Sequence, residues 1–356
     1  MVPMRLSRLG YLYGQASMVD STVAEVPVLV KVSALDAGDL TLPERLFITD
    51  ADPNKRNTVP SLSFLIQHPS PSPSRTQSAV TNLVFDLGIK RELDKYTTAQ
   101  QAHNAQRQPI VTDPDCAASL RKGNLDPAAD IDFVVLSHAH WDHIGTPSDF
   151  TAATFVVGAG TLDLLRNGAG PLYPAELFNN DELPTSRTVE FPPTLPDEFT
   201  VSDNSPKHTA TPVDTHAVLP PAADRWTWSP LAGFPHVLDF FGDGSVYVID
   251  SPGHLPGHVN LLVRTGERKY VYLGGDCCHD PRILRGETGI AMYDDGRGGL
   301  RSVHANTITA RETLDRIERF VREQGRELGD VEVEAVVAHD GEWRSNNRHR
   351  FFPRTM

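Results

Sequence analysis

Hydrophobic residues along the chain fall mainly into short runs of strand length, each bounded by Pro, Asn, Asp or Ser. In the first half these runs predict strands over 26–35, 45–49, 61–67, 80–86, 131–136 and 153–157. In the second half they predict strands over 245–250, 260–264, 269–273 and 331–338. This succession favours two strand-rich halves over a helical bundle.

Helical periodicity is limited to segments between the strands. It predicts helices over 91–106, within the loops of 113–130, over 161–168 and over 309–328. The last is the clearest, because Thr309 and Glu312 fit a capping box and Gly329 follows its end. Strands followed by a helix in each half predict a layered α/β fold.

The segment 169–235 differs from the rest of the chain. It holds many of the 28 prolines and few long apolar runs, yet it carries several aromatic residues. Since it separates two halves that contribute to one site, as argued below, we interpret it as an insertion that covers this site or forms a dimer contact. The whole chain, 1–356, is predicted to form one domain.

The composition argues against several classes of function. The formal net charge is −13, which repels nucleic acid and anionic membrane surfaces. No run approaches a membrane span, and residues 1–20 lack the apolar core of a secretory signal. Three cysteines, two of them adjacent, predict no disulfide framework. A cytoplasmic protein acting on a small molecule is therefore expected, without nucleic-acid or membrane partners.

The strongest chemical signal follows the strand 131–136. Three histidines and a carboxylate lie within six residues there: His138, His140, Asp142 and His143. A strand that ends in such a cluster places it at a sheet edge, where α/β folds build their sites. Imidazole and carboxylate together suit zinc or a similar first-row metal.

Three further strand ends carry potential ligands. They are His258 in the loop 251–258, Asp276 after strand 269–273, and His339 after strand 331–338. With the first cluster these make seven candidates, more than one catalytic zinc requires. Seven ligands suffice for two divalent ions, with zinc favoured, one bridging carboxylate and a bridging hydroxide.

These motifs, in this order after strands, resemble the metallo-β-lactamase superfamily: His138-x-His140-x-Asp142-His143, Gly257-His258, Gly275-Asp276 and Ala338-His339-Asp340. The resemblance implies an αββα sandwich with a dinuclear site at the sheet edge. It assigns the first metal to His138, His140 and His258, and the second to Asp142, His143 and His339. Asp276 would bridge, whereas His254 would support its loop.

Within this superfamily the chain is most similar to lactone-opening hydrolases and their fungal relatives. Asp276 stands where many true β-lactamases have a cysteine ligand, and His279 stands where bacterial acyl-homoserine lactonases have a substrate-contacting tyrosine. An imidazole can also donate a hydrogen bond, so His279 is a candidate catalytic residue. Asp86 resembles the family's structural carboxylate beneath the metal-binding loop.

The resemblance implies a hydrolase that opens a small lactone, or a related lactam or cyclic carbamate, by attack of a metal-bridging hydroxide. Asp142 is the second candidate catalytic residue, since it could also relay a proton. The alternative is a thioesterase of the same fold, including the type that releases polyketides from carrier proteins. Two further classes, a di-iron redox protein and a non-catalytic metal scaffold, fit the ligand pattern less well.

Overall fold

The computed structural model describes residues 26–75, 78–179, 182–194 and 217–356. The expectation that residues 1–20 carry no secretory signal lies outside these ranges, as does part of the 169–235 segment. Among the helices of the described ranges, none combines the length and hydrophobicity of a bilayer-spanning segment.

The described ranges contain strands and helices that are numbered here in chain order. The strands are β1 Lys31–Leu35, β2 Asp39–Pro43, β3 Arg56–Pro60, β4 Ser63–His68, β5 Thr81–Phe85, β6 Phe133–Val135, β7 Thr154–Val157, β8 Thr188–Glu190, β9 Ser229–Leu231, β10 Phe234–Asp239, β11 Val246–Asp250, β12 Val259–Gly266, β13 Lys269–Leu273, β14 Tyr293–Asp294, β15 Leu300–Arg301 and β16 Glu332–Val336. The α-helices are α1 Thr98–Asn104, α2 Cys116–Lys122, α3 Trp141–Ile144, α4 Thr161–Asn167, α5 Pro281–Leu284, α6 Thr307–Arg322 and α7 Gly341–Asn346.

Two six-stranded mixed sheets form the centre of the fold. The first has the strand order β1-β4-β5-β6-β7-β8, and the second has the order β16-β13-β12-β11-β10-β9. Strands β5 to β8 run parallel, as do β13 and β16, so several strands end at a common edge. That edge carries the loops with the candidate ligands.

Side chains alternate between the two faces of each strand, and the two faces pack against different layers. Phe133 and Val135 of β6 belong to the apolar cluster between the two sheets, whereas Val134 faces the opposite side with the helices α2 and α4. On the second sheet, Val271 faces inward and Tyr272 packs with α6 on the outside. Helix, sheet, sheet and helix therefore lie in four layers, and the predicted αββα sandwich is confirmed.

Helix α6 begins earlier and ends earlier than its pattern predicts. The N-cap is Asn306, whose side chain accepts a hydrogen bond from the Thr309 amide, so Thr309 lies inside the first turn. The helix ends at Arg322, and a separate 3₁₀ turn spans Arg326–Leu328. The buried face of the helix contains Leu314 and Ile317.

The predicted strand over 45–49 is wrong. A 3₁₀ turn spans Glu44–Leu46 instead, and Phe47 and Ile48 follow it into one apolar cluster together with Trp141. A turn can direct consecutive side chains to one cluster, which a strand cannot do because its side chains alternate. The sequence pattern also missed the hairpin of β2 and β3, and the helix predicted over 91–106 begins only at Thr98.

The described parts of the 169–235 segment are integrated into both sheets. Strand β8 pairs with β7 in the first sheet, and β9 pairs with β10 in the second. Trp226 is buried between the sheets, where its ring lies 5.2 Å from Phe191 and 5.3 Å from Phe240. This tryptophan is thus a packing residue.

Candidate active site

Asp276 lies at the centre of the candidate site. It follows β13, is buried, and has its carboxylate oxygens within 3.0 to 3.7 Å of five histidines: His138, His143, His254, His279 and His339. The preceding Gly275 has φ +46°, and a Cβ there would lie only 2.7 Å from the Ser137 Cβ. Glycine at this position therefore lets the Asp276 loop approach the loop that follows β6.

One group of ligand atoms lies on one side of Asp276. The His254 Nε2 is 2.9 Å from His140 Nδ1 and 3.2 Å from His138 Nε2, and these two histidine nitrogens are 2.9 Å apart. Asp276 Oδ2 lies 3.5 Å from His254 Nε2. Three imidazole nitrogens and one carboxylate oxygen are the donor set of a tetrahedral zinc site.

A second group lies on the other side of the same carboxylate. Asp276 Oδ1 is 3.2 Å from His143 Nε2 and 3.2 Å from His339 Nε2. The Asp142 Oδ2 is 3.6 Å from His339 Nε2, and Asp142, His143 and His339 together could hold a metal ion. The two oxygens of Asp276 thus face two separate ligand groups.

The positions of His254 and His258 are the reverse of those expected. His258 is buried, but its Nδ1 lies 3.1 Å from the Ser251 carbonyl oxygen and its Nε2 accepts a hydrogen bond from the Asp276 amide. Both ring nitrogens are therefore engaged with the backbone, whereas His254 Nε2 faces His138 and His140. The structure thus places His254, rather than the expected His258, beside His138 and His140, while His258 bonds the two loops to each other.

A hydrogen-bond network beneath the site orients the ligands. Asp86, directly after β5, accepts hydrogen bonds from the Ser137 amide at 2.6 Å and from the Ser137 hydroxyl at 2.7 Å. Its Oδ2 also lies 2.8 Å from His143 Nδ1. His339 Nδ1 lies 2.7 Å from the Pro60 carbonyl oxygen. These contacts direct the other ring nitrogen of His143 and of His339 toward Asp276.

Replacing Asp86 by asparagine is expected to weaken metal binding by about 10- to 100-fold, the usual cost of losing an outer partner of a ligand. Asparagine tolerates the φ of +60° found here, so the backbone should be retained. Competition with a fluorescent chelator measures the affinity. Asp250→Asn, at the end of β11, is the matched control and should bind metal like the wild type; equal affinity in both variants would contradict the orienting role.

The electrostatics of the first group favour metal binding. Burial, followed by the neighbouring imidazoles, lowers the pKa of His138 and His254 well below its ordinary value. Burial also lowers the pKa of His140 to about 3. These three rings are therefore neutral at physiological pH, which is the form that coordinates a metal.

In the second group, the carboxylate and the imidazoles stabilise each other's charged forms. Burial opposes ionisation of Asp276, but His143, His279 and His339 outweigh it and hold the pKa of this carboxyl well below its usual range. Burial likewise disfavours a charged His143, yet Asp276 and Asp86 outweigh it and raise the pKa of His143. An ionised, fully buried carboxylate among imidazoles is stable only with positive charge beside it.

Buried polar atoms that lack a hydrogen-bond partner indicate whether the residues fit a metal ion. Within the described ranges, His143 Nε2, His339 Nε2 and Asp276 Oδ1 are buried and accept or donate no hydrogen bond. Leaving such atoms unsatisfied is costly. Asp276 Oδ1 lies 3.2 Å from both nitrogens, and nitrogen and oxygen donors of this kind suit a divalent ion. The residues present therefore fit a divalent metal.

Two further histidines lie beside the first group. His279 Nε2 is 3.0 Å from Asp276 Oδ2, and its ring packs against Phe47 with the centroids 4.8 Å apart. His304 Nδ1 is 3.2 Å from His254 Nδ1. The sequence pattern indicated His279 but not His304, because His304 precedes α6 in a loop with no motif around it.

A cavity of about 260 Å³ opens onto this site. Its floor includes His140, Asp142, Asp276, His279 and His339. Part of the wall comes from the 169–235 segment, through Leu172, Tyr173, Leu177 and Phe178. Small, largely apolar cavities with a few convergent polar groups are typical of ligand sites.

Residues 110–234 match the family described as Beta-lactamase superfamily domain. The chain is 26% identical over 265 residues to Cytochrome P450 monooxygenase mpaDE' of Penicillium brevicompactum, covering 72% of this chain and 26% of that protein. It is 27% identical over 232 residues to Metallo-hydrolase mfmC of Annulohypoxylon moriforme, covering 64% and 50%. It is 28% identical over 227 residues to a gamma-lactamase of Fusarium pseudograminearum, covering 62% and 45%.

The fold is similar to that of a quorum-quenching N-acyl homoserine lactone hydrolase. The TM-score is 0.57 at 16% identity, and the alignment covers 93% of this chain and 99% of that one. The chain spans between about a quarter and a half of the three curated relatives described above. The predicted resemblance to the metallo-β-lactamase superfamily and to its lactonase-like branch is confirmed by the match over residues 110–234 and by these relatives.

Proposed function

We propose that this protein is a two-metal hydrolase that opens small lactone or lactam rings. The observation that carries the proposal is the position of Asp276, whose two carboxylate oxygens face two separate ligand groups at the floor of one cavity. The gamma-lactamase among its relatives and the lactone hydrolase fold support a cyclic ester or amide as substrate.

In this proposal the first ion would be held by His138, His140, His254 and Asp276, and the second by Asp142, His143, His339 and Asp276. When bound, two divalent ions, zinc being favoured, supply a nucleophile from water near neutral pH and polarise the substrate carbonyl. Ring opening suits such a site, because the leaving group stays tethered to the acyl part of the molecule. The chain's own residues must orient the ring and move protons.

Asp142 and His279 are the groups placed to do this. Both line the cavity. Asp142 can receive a proton from the attacking water and return it to the leaving oxygen or nitrogen. Its backbone is held in place because the Ser61 hydroxyl donates to the Asp142 carbonyl, and Tyr96 donates to the Trp141 carbonyl at 2.6 Å.

His279 is proposed to donate a hydrogen bond to the oxygen that gains negative charge in the transition state. Its Nδ1 is buried, lacks a partner within the described ranges, and belongs to a ring that lines the cavity. The tyrosine that the lactonase resemblance implies at this position would offer one hydroxyl donor, and an imidazole offers an N–H donor.

His279→Phe is expected to lower kcat by about 10²-fold or more, the usual cost of losing one such donor. The metal content should stay unchanged, since phenylalanine preserves packing against Phe47 but cannot donate. Steady-state kinetics and elemental analysis on the same preparation measure both quantities. His236→Phe, on β10 away from the cavity, is the control. If His279→Phe loses metal, His279 is a ligand instead.

A hydrolysis panel tests the proposed function. Purified protein is supplied with γ- and δ-lactones, the matching lactams, cyclic carbamates of the benzoxazolinone type and a thioester, and acid release is recorded. Hydrolysis of lactones or lactams that stops with a chelator supports the proposal. Turnover of the thioester alone would assign the chain to the thioesterases of this fold.

A further inference from the structure

Two arginines line the same cavity as the metal-ligand groups. Arg107 ends the 3₁₀ turn Ala105–Arg107 after α1, and Arg301 lies on β15. Both are half-buried. The chain carries a net charge of −13, so a cavity lined by two arginines has positive side chains in a protein that is negative as a whole.

The two guanidinium groups act on one region of the cavity. His103 lies there, and burial, followed by the charges of Arg107 and Arg301, lowers the pKa of His103 to about 4. His103 is therefore neutral and does not add to the charge. Arg107 and Arg301 are separated by almost two hundred residues in the chain, and the fold alone brings them together.

Aromatic rings place Arg301 relative to the metal-ligand groups. Its guanidinium carbon lies 5.5 Å from the Tyr173 ring and 5.7 Å from the Tyr293 ring. The other neighbour of Tyr173 is His140, with ring centroids 5.9 Å apart. One tyrosine ring thus separates Arg301 from a metal ligand, and stacking on tyrosine faces holds its planar fork in one orientation.

In the described ranges, neither guanidinium has a carboxylate partner of its own. Arg107 makes no ion pair or hydrogen bond there, and Arg301 donates to the Ser302 carbonyl at 3.3 Å and to the Tyr173 side chain. The acids that influence them are Asp142, which faces the metal-ligand group, and Asp295, which accepts from the backbone of its own turn. By contrast, Arg91, Arg282 and Arg344 are all paired with carboxylates.

An arginine that is partly removed from water without a paired anion is costly to keep. The cost is offset when a ligand brings the anion, and a guanidinium binds a planar carboxylate through two parallel hydrogen bonds. The same cavity is also lined by the apolar side chains of Leu172, Phe178 and Trp141. The cavity therefore combines metal-ligand groups, apolar side chains and two cations.

We propose that Arg107 and Arg301 bind a carboxylate that the substrate carries apart from its scissile ring, so that the natural substrate is an anionic lactone or lactam. This inference rests on the proposed ring-opening function and specifies its substrate class. The cavity volume of about 260 Å³ favours a compact molecule.

The test compares two matched substrates: a benzo-fused γ-lactone bearing a carboxylate on the benzene ring, and the primary amide of the same acid. For the metal-loaded wild type, we expect kcat/KM to be about tenfold or more higher for the carboxylate, since charge-assisted hydrogen bonds are the stronger ones. The difference should lie mainly in KM. Arg107→Met and Arg301→Met should each bring the carboxylate-to-amide ratio close to one.

Arg311→Met is the control, because Arg311 is exposed on α6 outside the cavity; it should keep the wild-type ratio. If a methionine variant fails to fold, Arg107→Gln or Arg301→Gln replaces it. A wild-type ratio of one or less, or an unchanged ratio in both arginine variants, overturns the inference while the proposed function stands.

Calorimetry separates the two proposals if neither lactone is hydrolysed, an outcome that counts against the ring-opening function. The same carboxylate and amide are then titrated into the metal-loaded wild type. Binding of the carboxylate that is lost in Arg107→Met and Arg301→Met supports the anion site on its own. Equal binding of acid and amide overturns it.

Discussion

Asp276→Ala is expected to abolish ring opening and to release bound metal in the same step. Asp276 contacts both ligand groups, so its loss removes a donor from each and leaves His143 and His339 without the carboxylate that holds them. The fall in activity should exceed the roughly 10- to 100-fold cost of losing an outer partner of a ligand. Elemental analysis and steady-state kinetics on one preparation measure both effects.

The control for this experiment is Asp315→Ala, an exposed carboxylate on α6 that should leave metal content and turnover as in the wild type. Thermal unfolding distinguishes loss of metal from loss of the fold. An Asp276→Ala protein that retains both its metal and its full turnover would show that Asp276 does not bridge the two groups.

His254→Gln is expected to remove one ion of the two and to reduce turnover by more than about 10²-fold. Glutamine keeps a polar side chain of similar length but is a poor zinc ligand, so the change isolates coordination from packing. His254 Nε2 lies among His138, His140 and Asp276, so its loss removes one donor from the first group.

His258→Gln is the matched comparison, four residues away in the same loop. Glutamine can still accept from the Asp276 amide, so metal content should remain at the wild-type level, with some loss of thermal stability. The opposite result, with metal lost from His258→Gln and kept by His254→Gln, would restore the assignment that the sequence motif suggested.

The sequence was sufficient for the features that depend on local pattern. Buried strands such as β6 read as continuous apolar runs, and the ligands at their ends follow directly from strand direction. Asp276 and His339 could be predicted in the same way, since each comes immediately after a strand. The layered fold follows from the order of these elements.

The orientation of the side chains in the loop 251–258 could not be predicted from local pattern. Gly253 and Gly257 both have positive φ, at +125° and +79°, and each approaches another backbone or side chain too closely for a Cβ. Such turns redirect the chain twice within the motif. Spacing alone therefore does not determine which of two histidines, His254 or His258, faces the metal-ligand group.

The substrate pocket was still less accessible to sequence analysis. Arg107 lies in a 3₁₀ turn and Arg301 in a two-residue strand, and neither element has a hydrophobic period that would reveal its orientation. Only tertiary structure brings such distant residues together.

The most direct test of the proposed two-metal site is the metal content of the purified full chain. Inductively coupled plasma mass spectrometry, referred to a protein concentration from amino-acid analysis, gives the number of ions per chain. We expect close to two divalent ions in the wild type, both lost from Asp276→Ala and one from His254→Gln. A wild-type chain that holds one ion or none, after dialysis against the favoured metal, would contradict it.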